Sequence, residues 1–177
     1  MIDHTHNTLK IRRKPGEDPS SGLLLAGNAA IPCLLGKTGI SPNKHEGDGA
    51  TPSGRYELLF GFYRPDRVSP PPTKLPLQAL TPSDGWCDDP AHPAYNRPVD
   101  LPFAASHEKM WRHDRLYDIC LIMDHNFTIR HRNRGSAVFF HLTAGKPYTA
   151  GCVAISREAM MKLLPHLKTG TVMDIRL

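Results

Sequence analysis

The sequence predicts a mainly β domain with one or two short helices, and three observations carry that prediction. Seventeen prolines and fourteen glycines among 177 residues leave little room for long helices. Apolar residues gather in short runs, alternating or continuous, bounded by Gly, Pro, Asn and Asp, as strands between turns do. With 40% of its residues hydrophobic and 22% charged, the chain is long enough for one globular domain with a real core.

Taken in order, residues 1–8 are expected to form a flexible N-terminus and residues 9–177 a single domain. Leu9-Lys10-Ile11-Arg12 alternates as a half-buried strand, and Lys14 to Pro19 is a turn. Gly22 to Leu35 reads as two strands around Gly27-Asn28, and Tyr56 to Tyr63 as a further strand. A lid-like insertion follows at about 64–112. Its Pro65 to Pro102 part, rich in Pro and Asp, is expected to be irregular but ordered, since Trp86 and Trp111 bracket it. Ala104 to Arg112 reads as a short helix. Tyr117 to Met123 is a buried strand with a turn at Asp124-His125-Asn126. Ser156 is placed to cap a helix that stops at Pro165, and Thr171 to Ile175 closes the chain as a strand.

The chemistry concentrates near the C-terminus. His141 closes the apolar run Phe139-Phe140-His141-Leu142, and Cys152, preceded by Gly151, opens another. A histidine beside a cysteine can draw the thiol toward the nucleophilic thiolate, and a glycine before the nucleophile lets backbone amides approach a developing oxyanion. The alternative is a buried cysteine acting as a small hydrophobe next to a core histidine. On the nucleophile reading a Thr143 to Thr149 connection that doubles back brings the pair together, and the N-terminus of the helix behind Cys152 favours the thiolate.

Two longer stretches add to this. Gly36-Lys37-Thr38-Gly39 with Lys44-His45-Glu46-Gly47-Asp48-Gly49-Ala50-Thr51-Pro52-Ser53-Gly54-Arg55-Tyr56-Glu57-Leu58 resembles the N-terminal half of the L,D-transpeptidase catalytic (YkuD) domain, and His141 to Cys152 resembles its active-site half. Gly85 to Pro90 and Tyr95 to Val99 resemble a stretch of a compact, single-domain proteobacterial branch of that family. The resemblance implies a β-sandwich of mixed sheets with a long loop insertion. It also implies a ping-pong acyl transfer in which Cys152 forms a thioester, His141 is the base and Gly151 serves the nucleophile turn. The implied donor and acceptor are peptidoglycan stem peptides containing diaminopimelate, crosslinked between the first and third residues rather than between two third residues. Carbapenem-type acylation of Cys152 and a periplasmic or envelope location follow from the same resemblance, and no cofactor is implied. Water in place of the amine would give an L,D-carboxypeptidase or endopeptidase, and a decayed site would leave a cell-wall binding module.

The chain also departs from the family. Better-known members have Ser/Thr-His-Gly-Cys, whereas Thr149-Ala150-Gly151-Cys152 lacks that histidine, and Val153 to Ser156 lacks the arginine common after the cysteine. Another cation is then needed for substrate, with Arg97, Arg130 and Arg64 as candidates. Arg97, Asn96, Tyr95, Trp86, Tyr148 and Thr149 are the expected substrate-binding set. Asp88-Asp89 offers either substrate-amine binding or a turn.

A net charge of +5 suits an anionic polymer, but scattered basic residues with little aromatic interleaving argue against nucleic acid. No metal site is expected: His107 and His113, six apart across the anticipated helix, do not share a face. Cys33, Cys87, Cys120 and Cys152 show no Cys-x-x-Cys spacing, so buried thiols are favoured over disulfides. Met1 to His6 has neither a basic nor an apolar stretch, so no signal peptide is visible, and Leu23 to Leu35, broken by Gly27-Asn28 and Pro32, is a hairpin rather than a membrane segment.

Overall fold

The computed structural model describes residues 8–177, so the expected flexible stretch lies outside the described residues except for Thr8. That residue opens β1 (Thr8–Arg13), which is followed by the hairpin β2 (Ser21–Ala26) and β3 (Ala29–Leu34). Gly27, at φ +57°, makes the turn of that hairpin, as the Gly27-Asn28 pair predicted. Two short strands, β4 (Ile40–Ser41) and β5 (Thr51–Pro52), frame the Lys44 to Ala50 turn. The ten-residue β6 (Gly54–Tyr63) then carries the sheet around a corner.

Among the described residues nine strands share one mixed sheet. After β6 its members are β7 (Leu77–Ala79), β11 (Ile119–Met123), β12 (Phe139–Leu142), β13 (Val153–Ile155) and β14 (Val172–Arg176). The order runs β11-β12-β13-β3-β2-β1-β14-β6-β7, and β6 pairs with β14 along its first half and with β11 along its second. The hydrogen-bond ladder therefore folds back on itself, and two facing layers enclose the core, a mixed β-sandwich as expected. Leu9, Ile11, Leu24, Leu58, Leu121, Phe140, Val153, Ile155 and Ile175 meet there, all nearly inaccessible.

The α-helix α1 (Arg157–Leu163) covers an end of this core with Met160 and Leu163. The Ser156 side chain accepts the Ala159 N–H at its start, Glu158 and Lys162 suit the helix dipole, and a 3-10 turn over Leu164–His166 containing Pro165 ends it.

The insertion differs from its sequence reading. Between β6 and β11 lies a three-stranded antiparallel sheet, β8 (Asp84–Cys87) flanked by β9 (Arg97–Asp100) and β10 (His107–Lys109). The expected helix over Ala104 to Arg112 is instead the edge strand β10, because its backbone groups are taken up by the β8 ladder and Met110 is drawn into the lid's interior. A second apolar cluster, with Phe62, Trp86, Tyr117, Cys120, Ile122 and Phe139, joins this small sheet to the outer face of the main one.

Candidate active site

Strand register brings the cysteine and the histidine together. β12 and β13 run parallel with Phe140 opposite Val153 and His141 opposite Ala154. One step earlier the same register sets Phe139 beside Cys152, and the Phe139 N–H donates to Cys152 Sγ at 3.2 Å. Alternate residues share a face. Phe139, His141, Cys152 and Ala154 therefore project outward, while Phe140, Leu142, Val153 and Ile155 fill the sandwich. Cys152 and His141 lie one strand apart and two residues along, about 4.8 Å by 6.6 Å of backbone.

Parallel neighbours require the chain to return to the starting end, and the 143–152 connection does so, doubling back as predicted. Thr149 pins it: its N–H donates to Leu35 C=O at 2.9 Å and its C=O accepts the Lys37 N–H at 3.0 Å. The Thr149 Oγ1 donates to the Cys152 C=O at 2.7 Å and accepts the Gly151 N–H at 3.1 Å. Gly151 itself has φ +150°, and a Cβ there would lie 2.8 Å from the Ala50 C=O, so the turn has no room for a side chain.

Electrostatics differ from the sequence expectation. Burial pushes the Cys152 thiol up to about 12, against the pull of the Phe139 N–H, and Glu108 adds to the rise. The Sγ–H is directed at the Ala137 C=O, 3.2 Å away. Burial likewise holds His141 near 4, neutral at physiological pH. The helix N-terminus does not assist, because three-residue β13 separates Cys152 from α1. The resting pair is thus thiol and imidazole. Since Leu142 C=O can only accept, His141 Nδ1 at 2.7 Å from it carries the ring proton, leaving Nε2 as the basic nitrogen.

Both groups face a cavity of about 330 Å³ between the main sheet and the lid. Its wall includes Tyr148, Thr149, Ala150 and Gly151 from the connection, and Asp88, Glu108 and Arg112 from the lid. Tyr117 stacks edge-on against His141 with ring centroids 5.3 Å apart, and its hydroxyl donates to Glu108 at 2.7 Å.

The sequence model of the YkuD family, the L,D-transpeptidase catalytic domain, matches residues 24–175. The chain belongs to that family. No curated protein and no solved structure matches it.

As a YkuD domain it divides the expected substrate-binding residues into two groups. Tyr148 and Thr149 line the cavity. Trp86, Tyr95, Asn96 and Arg97 stand behind it. Asn96, at φ +55° and almost fully buried, accepts the Trp86 indole N–H at 2.9 Å and the Ala137 N–H at 3.0 Å, and donates to the Asn126 C=O at 2.7 Å. Arg97 lies over the Phe127 ring and donates to the Phe127 C=O at 2.6 Å. Tyr95 donates its hydroxyl to Glu46, which does line the cavity.

The cations are also redistributed. Arg64 pairs with Asp66 and stacks on Trp111, and Arg130 donates to the Tyr95 C=O, whereas Lys44, Arg112 and Lys146 line the cavity. Lys44 is buried, paired with Asp48 and bonded to the His45 C=O at 2.9 Å. Its position in the Lys44 to Leu58 motif was the signal available in the sequence; nothing there distinguished Arg112 or Glu108. Among the described residues no group of three or more His, Cys, Asp or Glu is placed to hold a metal, and no helix is long and apolar enough to cross a membrane. All four cysteines are free and buried.

Proposed function

We propose that this YkuD domain is an L,D-transpeptidase that crosslinks peptidoglycan stem peptides in the cell envelope, by acyl transfer through a thioester on Cys152. The observation that carries this reading is the placement of Cys152 and His141 on one outward face of two parallel strands, at the floor of a lid-covered cavity. His141 Nε2 takes the thiol proton as Sγ attacks a donor carbonyl and delivers it to the departing amine. Neutral resting groups fit this order, since the proton moves only once substrate displaces water and re-aims the thiol from the Ala137 C=O. Burial that raises a thiol in the free enzyme also strengthens each electrostatic contact in the closed site. An amine from a second stem then attacks the thioester. Tyr148 and Thr149 form the substrate-facing wall, and Trp86, Tyr95, Asn96 and Arg97 act by holding the lid over it.

The test is mass spectrometry of products after incubating the protein, and its Cys152→Ala variant, with defined monomeric stem-peptide muropeptides. Dimers formed by the unmutated protein alone are the expected result. Fragmentation then places the bond, with a link between first and third residues expected from the branch resemblance. Shortened monomers would instead mean hydrolysis, and unchanged monomers would favour a binding module.

A further inference from the structure

Two lid carboxylates face the nucleophile with bonding capacity that the fold does not use. Register pairs Trp86 with Glu108 and Cys87 with His107, so Asp88 and Glu108 are diagonal neighbours on one face of the small sheet. That is the face on which Trp86 packs edge-on against Phe139, next to Cys152, and both carboxylates line the cavity. Asp88 Oδ1 is buried and has no hydrogen-bond partner. On Glu108 both donors, the Tyr117 hydroxyl at 2.7 Å and Arg112 at 3.0 Å, land on Oε1, and Oε2 receives no hydrogen bond from the described residues. Arg112 is itself shared with Asp114, so the lid wall keeps an excess of negative charge. A buried, unpartnered carboxylate oxygen is costly unless a ligand completes it. No third acidic, histidine or cysteine ligand is at hand for a metal among the described residues, so the fitting cation is one that brings its own N–H donors.

We propose that Asp88 and Glu108 form the subsite for the primary ammonium of the acceptor, with Glu108 removing one of its protons; this rests on the acyl-transfer function proposed above. Proton accounting requires such a group. The acceptor arrives as R–NH3+ and must lose two protons to become an amide nitrogen. Glu108 takes the first and becomes the neutral acid. The freed lone pair attacks the thioester carbonyl, and the C–N bond forms as the C–S bond breaks. His141 takes the second proton and returns it to the Cys152 sulfur. The products are an amide, a free thiol and one proton on Glu108, which passes to solvent. Burial raises the Glu108 carboxyl above the usual carboxylate range, which suits a group that must hold that proton briefly.

Asp88→Asn and Glu108→Gln test this in the full chain, with a stem-peptide donor and two competing nucleophiles. One is a stem-peptide amine, charged at neutral pH; the other is hydroxylamine, which is uncharged there and needs neither ammonium recognition nor a second proton acceptor. Asp88→Asn removes a charge without removing a hydrogen bond, so it keeps the test valid if Glu108→Gln loosens the lid. The expected result is a loss of about tenfold or more in dimer formation by each variant, with hydroxamate yield changing far less than dimer yield. A parallel fall in both products, or no fall in either, overturns the proposal. If the unmutated protein makes neither dimer nor hydroxamate, acyl transfer itself fails and the subsite fails with it, a result distinct from the other two.

Discussion

The two faces of β12 and β13 make different use of the same short strands. Inward, Phe140, Leu142, Val153 and Ile155 disappear into a continuous apolar core, where shape alone matters. Outward, Phe139, His141, Cys152 and Ala154 meet a mixed surface of aromatic rings, carboxylates and lysines supplied by the lid and the loops. Backbone register fixes where the outward atoms sit, and side-chain bonds across the gap fix what they face. Damage to the first should abolish chemistry, and damage to the second should detune it.

The largest effect should come from disturbing the backbone of the turn before Cys152. Gly151→Ala sets a methyl 2.8 Å from the Ala50 C=O, and the resulting shift of Cys152 should cost about 100-fold or more in kcat. Steady-state kinetics beside a melting curve would show it, and a variant that keeps wild-type kcat would break the distinction between the two faces. Next is the strut behind the lid. Asn96→Ala leaves the Trp86 indole N–H and the Ala137 N–H without their shared acceptor, and a loss of roughly 2–4 kcal/mol in urea denaturation is expected.

Buried His141 makes a pH prediction of similar size. His141 falls from an ordinary 6.5 to about 4 in the folded protein, so the unfolded chain binds a proton that the folded chain refuses. The associated stability is fully present above 6.5 and is lost as the pH falls toward 4, on the order of 3 kcal/mol. Burial lowers His125 in the same direction. Urea midpoints measured from pH 7.5 to about 4.5 should decline, and His141→Gln should flatten part of the slope; an unchanged slope would remove His141 as its source. Smallest is Arg97→Gln, which loses the Phe127 contacts. It should cost about 1 kcal/mol and raise the acceptor KM more than it lowers kcat.

Much of the inward face could be read from the chain. Leu9 to Arg12, the pair of strands around Gly27-Asn28, Tyr56 to Tyr63 and the Ser156-capped helix fall where local pattern put them, because each has its own periodicity or punctuation. His141 and Cys152 stood out as residue types at the ends of apolar runs. The lid was less legible. Its strands are three or four residues long, shorter than any period can show, and the Ala104 to Arg112 segment is helix-like in composition yet held as a strand by backbone bonds to β8. The wall of the cavity was hidden for a further reason. Lys44, Glu108 and Cys152 are brought together by sequence separations that only the folded ladder specifies.

The two ends of the lid segment lie side by side. It leaves at the last residue of β6 and returns at the first residue of β11, which are ladder partners, Tyr63 opposite Ile119, and the Arg64 N–H donates to the Asp118 C=O at 3.0 Å. Topologically the excursion is an enlarged hairpin connection that first lays the edge strand β7 beside β6. The part after β7 also has closely spaced ends, since the Leu80 N–H donates to the Tyr63 C=O at 2.8 Å, so it can be shortened, exchanged or grafted without rethreading the sheet, and the wall facing Cys152 and His141 is free to vary while the strands that bear them stay unchanged.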